Sequence, residues 1–261
     1  MTGLKVLAID TSTEACSAAL LWHTGEVRLR CQLLERGHAD LILPMIDELL
    51  AEAGCRLTDL DGLAFGRGPG GFTGLRIAAG VVQGLAYGAG LKVAPVSSLA
   101  AVAWLATRPS PQPSPAGAGE GAKPSPQPSP AGAGEGAGVL VCNDARMNEV
   151  YWGCYRFDPT AACLPIVLAP EAVSPQDRVE VVAGAVLFAG NGIPRYPALQ
   201  ARLEAAGLRY IPDLYPRADA IARLGEQIFL QGLGVVPSDA VPVYVRDNVV
   251  KVPQGGVTEM S

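Results

Sequence analysis

Residues 6–21 read VLAIDTSTEACSAALL, and residues 139–157 read VLVCNDARMNEVYWGCYRF. Each stretch opens on a short apolar run and breaks at a carboxylate, Asp10 or Asp144, among hydroxyl- or amide-bearing neighbours. Each then resumes as a second apolar run. Short apolar runs bounded by polar turn residues are the pattern of buried strands. Both stretches therefore read as strand, acidic turn, strand, and the chain makes the same opening twice.

The elements that follow continue the parallel. In the first half a third strand is expected at 26–31, then an amphipathic helix over His38–Ala53. Leu41, Ile42, Met45, Ile46, Leu49 and Leu50 recur there at three- and four-residue spacing, with Gly54 as the stop and a kink expected at Pro44. A strand at 62–65, the loop GRGPGG (66–71), a helix over 73–89, a strand at 92–96 and a helix over 98–106 complete that half. In the second half LFAGNG (187–192) reads as a strand running into a glycine turn, and helices are expected at 198–206 and 218–230. Strands followed by helices, twice over, predict an α/β protein of two similar lobes. Between them RPSPQPSPAGAGEGA (108–122) is repeated as KPSPQPSPAGAGEGA (123–137), with eight prolines and neither an aromatic nor a β-branched residue. Such a tract buries too little to offset its ordering entropy, so a mobile, disordered linker is expected, dividing the chain into lobes at 1–107 and 138–261. An inserted spacer is favoured over a proline-rich docking peptide.

Composition excludes several classes. With 49% apolar and 17% charged residues in a chain of 261, a substantial core is available. Twenty basic residues against 25 acidic ones leave a net charge of -5, no footprint for gripping a phosphodiester backbone unaided. Cys16, Cys31, Cys55, Cys142, Cys154 and Cys163 never fall in a C-x-x-C pair and are expected to be reduced, mostly buried thiols. Asp10 interrupts any apolar leader, and the longest membrane candidate, between Arg76 and Lys92, is short for a bilayer, so a cytoplasmic protein with no membrane partner is expected. His23 and His38 lie too far apart for H-x-x-x-H, and no metal site is expected. No G-x-S-x-G elbow is present.

The loop Gly66-Arg67-Gly68-Pro69-Gly70-Gly71 matches G-x-G-x-x-G between a strand and a helix, where glycines admit a pyrophosphate. The ribose-binding acid is missing, since no Asp or Glu occurs between Asp61 and Glu120, and Phe72 stands where a P-loop needs lysine. A tight turn that lets helix and strand pack closely is the competing reading. In the following helix Gly80, Gly84 and Gly88 fall on one ridge, and each costs about 1 kcal/mol relative to alanine. Packing on the protein's own sheet and docking of a partner helix both account for that ridge. Asp10, Thr11 and Ser12, with Asp144 at the matching place in the second half, stand where actin- and Hsp70-like folds position magnesium and phosphates. An ordinary polar turn is the plainer alternative.

The segment GRGPGGFTGLRIAAGVVQGLAYG (66–88) closely resembles the TsaB (YeaZ) family, as do VLAIDTSTEACSAAL before it, GHADLILPMIDELL between and NDARMNEVYWGCY (143–155) after it. A looser likeness extends to PVYVRD (242–247). The repeat at 108–137 is foreign to that pattern. The resemblance implies a two-lobed actin/Hsp70-like fold and a role as the non-catalytic dimerisation subunit of the bacterial machinery that makes N6-threonylcarbamoyladenosine at position 37 of tRNA. It implies a catalytic paralogue, TsaD, as partner, with a TsaE-type ATPase, a possible homodimer, and tRNA met only through the complex. No cofactor of its own is implied. The first two helices would form the interface, through Leu41, Met45, Leu49, Ile77, Gly80, Val81, Gly84, Leu85 and Gly88. Asp10, Thr11, Ser12 and Asp144 would be a vestigial nucleotide-facing group. The alternative is a small-molecule kinase or nucleotide-hydrolysing enzyme of the same fold, using Asp10 and Asp144 about a magnesium nucleotide.

Overall fold

A computed structural model describes residues 3–108, 136–158 and 164–246. Apart from its ends the tandem repeat lies outside the described residues, as do Cys163 and the last residue of PVYVRD. The first half contributes β1 (Val6–Asp10), β2 (Ala15–Leu21), β3 (Val27–Leu33), α1 (His38–Ala53), β4 (Gly62–Gly68), α2 (Phe72–Ala89), β5 (Val93–Ser97) and α3 (Ser98–Ala106). The second contributes β6 (Gly138–Asp144), β7 (Glu149–Arg156), β8 (Ile166–Pro175), β9 (Ala185–Ala189), α4 (Pro197–Ala205), β10 (Arg209–Ile211) and α5 (Ala218–Leu230). The helix α1 runs unbroken through Pro44.

The duplication is complete at the level of the sheets. One is ordered β3-β2-β1-β4-β5 and the other β8-β7-β6-β9-β10, with the first three strands of each antiparallel and the rest parallel to the first. The register places Asp10 opposite Ser17 and Asp144 opposite Val150, so each sheet ends its first strand on a carboxylate. The copies differ at one crossover. Where α1 joins β3 to β4, only a 3-10 turn, Gln176–Arg178, stands between β8 and β9.

Two helices change places. The helix α3, which follows the first sheet, lies against β6, β7 and β9 of the second; α5, at the end of the second, lies against β1, β2, β4 and β5 of the first. Side chains of both sheets and both helices thus share one central core, including Ala8, Ala64, Ala101, Val141, Leu187 and Ile221. Strand alternation sends Leu7 and Ile9 the other way, into a second core beneath α1 and α2, and Leu140 and Cys142 into a third that includes Leu199 and Leu203 of α4. The result is a five-layer, two-lobed α/β fold of the actin/Hsp70-like kind, in which both sheets are covered on both faces. No described helix is long and apolar enough to cross a membrane.

The central layer is built for close approach. Gly225 of α5 stands so near the first sheet that a β-carbon there would fall 2.6 Å from the Ala64 methyl. Helix propensity favours alanine over glycine by about 1 kcal/mol, whereas overpacking costs about 1–3 kcal/mol. Gly225→Ala is therefore expected to lower stability in urea unfolding despite its better helix former. A variant as stable as the parent would remove this contact from the account.

Candidate functional site

The glycine loop meets the first acidic turn at backbone distance. A β-carbon on Gly66 would lie 1.7 Å from Asp10 Oδ2, one on Gly74 1.8 Å from the Thr11 carbonyl oxygen, and one on Gly70 2.5 Å from the Ser12 carbonyl oxygen. The amide of Gly71 donates to the Ser12 carbonyl at 2.7 Å, and Thr11 Oγ1 donates to the Gly74 carbonyl at 2.7 Å. Gly70 and Gly74 admit the protein's own backbone, and Gly66 admits the Asp10 carboxylate. That is the tight-packing reading of the loop rather than the pyrophosphate one.

Asp10 is fully buried and sealed from every side. Its Oδ1 accepts from the Ser12 amide at 2.9 Å and from Ser12 Oγ at 2.8 Å, while Ser98 Oγ donates to Oδ2 at 3.4 Å. Burial pushes its pKa up to about 6, against the lowering effect of the Ser12 and Ser98 hydrogen bonds. Thr11 and Ser12 reach the wall of the cleft between the lobes; Asp10 does not.

That cleft, of about 1130 Å³, is bounded by the starts of α1 and α2, the turn after β6 and the segment 243–246. Asp144 lies on its wall, with its side chain 4% exposed. Arg146 Nη1 and Arg195 Nε each stand 3.2 Å from Asp144 Oδ2, and Tyr196 Oη donates to Oδ1 at 3.1 Å. A magnesium nucleotide fits these residues poorly. One carboxylate is enclosed by backbone, and the other is already neutralised by two guanidinium groups that an entering cation would have to displace. The structure therefore does not bring Asp10 and Asp144 together as a pair facing the cleft.

Other nucleophiles are quiet. Burial pushes the Cys16 and Cys142 thiols up to about 12 and that of Cys154 to about 11, so none is a thiolate near neutral pH. His38 is structural in its contacts, its Nε2 lying 2.9 Å from the Thr13 carbonyl oxygen. Ser97 caps α3, its Oγ accepting from the Ala100 amide at 3.0 Å. Among the described residues no group of three His, Cys, Asp or Glu side chains converges as metal ligands would.

On the outer face the glycine ridge stands open. A β-carbon at Gly80, Gly84 or Gly88 would meet nothing within 4 Å, and all three residues are exposed. Packing on the protein's own sheet therefore does not explain them. Leu41, Ile77, Val81 and Leu85 are half-buried beside that ridge or on α1, and Tyr87 is 83% exposed. Met45 and Leu49, expected at the same face, instead point into the core under α1, because the inward stripe of that helix takes Ile42, Met45, Ile46 and Leu49. The residues that bridge the lobes, Glu14, Arg67, Tyr155 and Glu171, with Arg246 at the end of the segment that crosses between them, carry no motif in the sequence. A single charged side chain carries no periodicity that marks its partner, and Glu14 bonds a partner 177 residues away.

Asp10 also sets a pH dependence. A carboxyl whose folded pKa is raised stabilises the fold most when protonated, below about pH 4, and that contribution is lost as pH rises through about 6. Asp10→Asn is expected to flatten urea-derived stability between pH 4 and 6 and to exceed the parent by about 2–3 kcal/mol at pH 7.5. An unaltered pH profile would show that the carboxyl is not buried as described.

Residues 32–116 match the family model of TsaD, described as tRNA N6-adenosine threonylcarbamoyltransferase. The tRNA threonylcarbamoyladenosine biosynthesis protein TsaB of Escherichia coli K12 is 38% identical over 250 residues, covering 94% of this chain and 96% of that protein. Its Haemophilus influenzae counterpart is 44% identical over 256 residues, covering 95% and 96%. Among solved structures, YeaZ from Pseudomonas aeruginosa superposes with a TM-score of 0.72 at 36% identity, covering 92% of this chain and 99% of that one. Identity at this level across nearly the whole of both chains places the protein in the TsaB (YeaZ) family.

Proposed function

We propose that this protein is a non-catalytic subunit of the machinery that makes N6-threonylcarbamoyladenosine in tRNA, and that it works by docking α1 and α2 against a TsaD-type threonylcarbamoyltransferase. The observation that carries the reading is the open ridge of Gly80, Gly84 and Gly88. Three helical glycines that touch nothing cost about 1 kcal/mol each, and close approach of another backbone is a compensation that fits. Leu41, Ile77, Val81 and Leu85 would supply the apolar contact around it. The match of the catalytic family's model to 32–116 supports a pairing of like with like, since that segment holds both helices. The sealed Asp10 and the ion-paired Asp144 support a subunit that does no chemistry itself. In this reading a TsaE-type ATPase joins the assembly, tRNA is met through the complex, and the same face pairs two copies when the catalytic subunit is absent.

The test opposes stability to binding. Replacing Gly80, Gly84 and Gly88 together by alanine should raise the stability of the isolated chain, by up to about 1 kcal/mol per site, while weakening co-purification with the TsaD-type subunit. Gly84→Leu should abolish the complex and leave the isolated fold intact. An undiminished complex with Gly84→Leu would remove the ridge from the interface. Catalytic turnover of a substrate by the purified chain alone would overturn the non-catalytic assignment.

A further inference from the structure

The lobes are joined by more than their shared core. On one side of the cleft, Arg67 at the end of β4 forms a bidentate pair with Glu171 of β8, with both N–O distances 3.2 Å. Tyr155 Oη of β7 donates to the same carboxylate at 3.1 Å and lies 3.3 Å from Ser97 Oγ of β5. Arg67 and Glu171 are 26% and 14% exposed, so solvent screens this pair far less than an ordinary surface ion pair.

On the other side, Glu14 of the first lobe accepts from Asn191 Nδ2 at 2.9 Å and from Arg146 Nη2 at 3.3 Å. Arg146 is held there by an unusual turn, in which Arg146, Met147 and Asn148 all have φ near +60°, a left-handed conformation for three successive non-glycine residues. Such a turn persists only where its surroundings hold it. Here Arg146 bonds to Asp144 and Glu14, while Arg246 donates to the Ala145 carbonyl at 3.0 Å and pairs with Glu149.

The third tie is a strap. Residues 241–246 cross the cleft mouth from the first lobe to the second. The Val243 amide donates to the Arg67 carbonyl at 2.8 Å, Tyr244 packs against Phe72 with ring centres 5.5 Å apart, and Arg76 Nε donates to Tyr244 Oη at 3.1 Å. Arg246 then engages the second lobe. Arg67 therefore serves twice, its carbonyl holding the strap and its guanidinium the opposite sheet, within the glycine loop that leads into α2.

We propose that the two lobes form one locked body whose cleft neither opens nor closes, with Arg67 and Glu171 as the positioning pair that sets the inter-lobe angle. Two-lobed enzymes of hinged design need the opposite property, closure about a ligand. A fixed angle suits a part whose task is to present a surface in one orientation.

The full chain alone suffices for the test, with labelled molecules diluted in a large excess of unlabelled ones so that only distances within one molecule are read, and its result stands whether or not a partner docks on α2. Spin labels carried by non-natural amino acids at exposed Glu48 in α1 and Glu204 in α4 report the inter-lobe distance by pulsed electron resonance. The parent is expected to give one narrow distance, unmoved by excess magnesium-ATP. Arg67→Glu and Glu171→Arg should each broaden the distribution at least twofold, and the double charge swap should restore it. Arg67→Lys, which keeps the charge but loses the fork, should fall between parent and Arg67→Glu. A parent distribution that is broad or shifts with nucleotide overturns the lock without reference to any variant. Single variants as narrow as the parent would remove the positioning role from this pair.

Discussion

The exchange of α3 and α5 between the sheets is the constraint on which the rest depends. Each helix is covalently part of one lobe and packed against the other, so neither sheet buries its inner face unless both lobes are in place. The layer is narrow because it is lined by alanine. Ala8, Ala64 and Ala94 on the strands share it with Ala101, Ala103, Ala220 and Ala222 on the helices, and Gly225 stands directly against Ala64. Side chains this small leave little room for the helices to slide, and dense interiors transmit displacement rather than absorb it. That is why ties at the cleft rim can fix an angle between bodies of this size.

The same economy of space explains what has become of the cleft. Carboxylates at the ends of β1 and β6 follow from the duplicated sheet. Here Gly66, Gly70 and Gly74 allow the loop and the first turn of α2 to press onto residues 10–12, which takes one carboxylate out of reach. The other is enclosed by Arg146 and Arg195. A loop that matches a phosphate-binding pattern is thus put to backbone packing. The glycines of α2 beyond it, one ridge further round the helix, face solvent instead. Two sets of glycines in one continuous segment therefore serve opposite surfaces, an inner one that is closed and an outer one that is open.

Much of the fold is legible in the sequence. Local rules sufficed for β1, β2, α1, α2 and α5, because apolar period, polar turns and terminal glycines all agree there. They failed for β8 and β10. Residues 166–175 contain Pro170 and Pro175, which argue against a strand, yet β8 is an edge whose pairing shifts register between Cys154 and Trp152, opposite Pro170 and Glu171. β10 is three residues long and is a strand only because β9 lies beside it. For α1 the apolar period marks a helix but not which way it faces, and the sheet takes Met45 and Leu49 inward.

The sequence by itself determined the doubled α/β plan, the order of most elements, the glycine ridge and the family, since these rest on neighbouring residues and on motifs contiguous in the chain. Only the tertiary structure decided that α3 and α5 trade sheets, that Asp10 is sealed and Asp144 is paired, that the ridge is open, and that Arg67 meets Glu171 across 104 positions. Each of those depends on which distant surfaces are pressed together, and burial and charge pairing are properties of that three-dimensional contact rather than of any local stretch of chain.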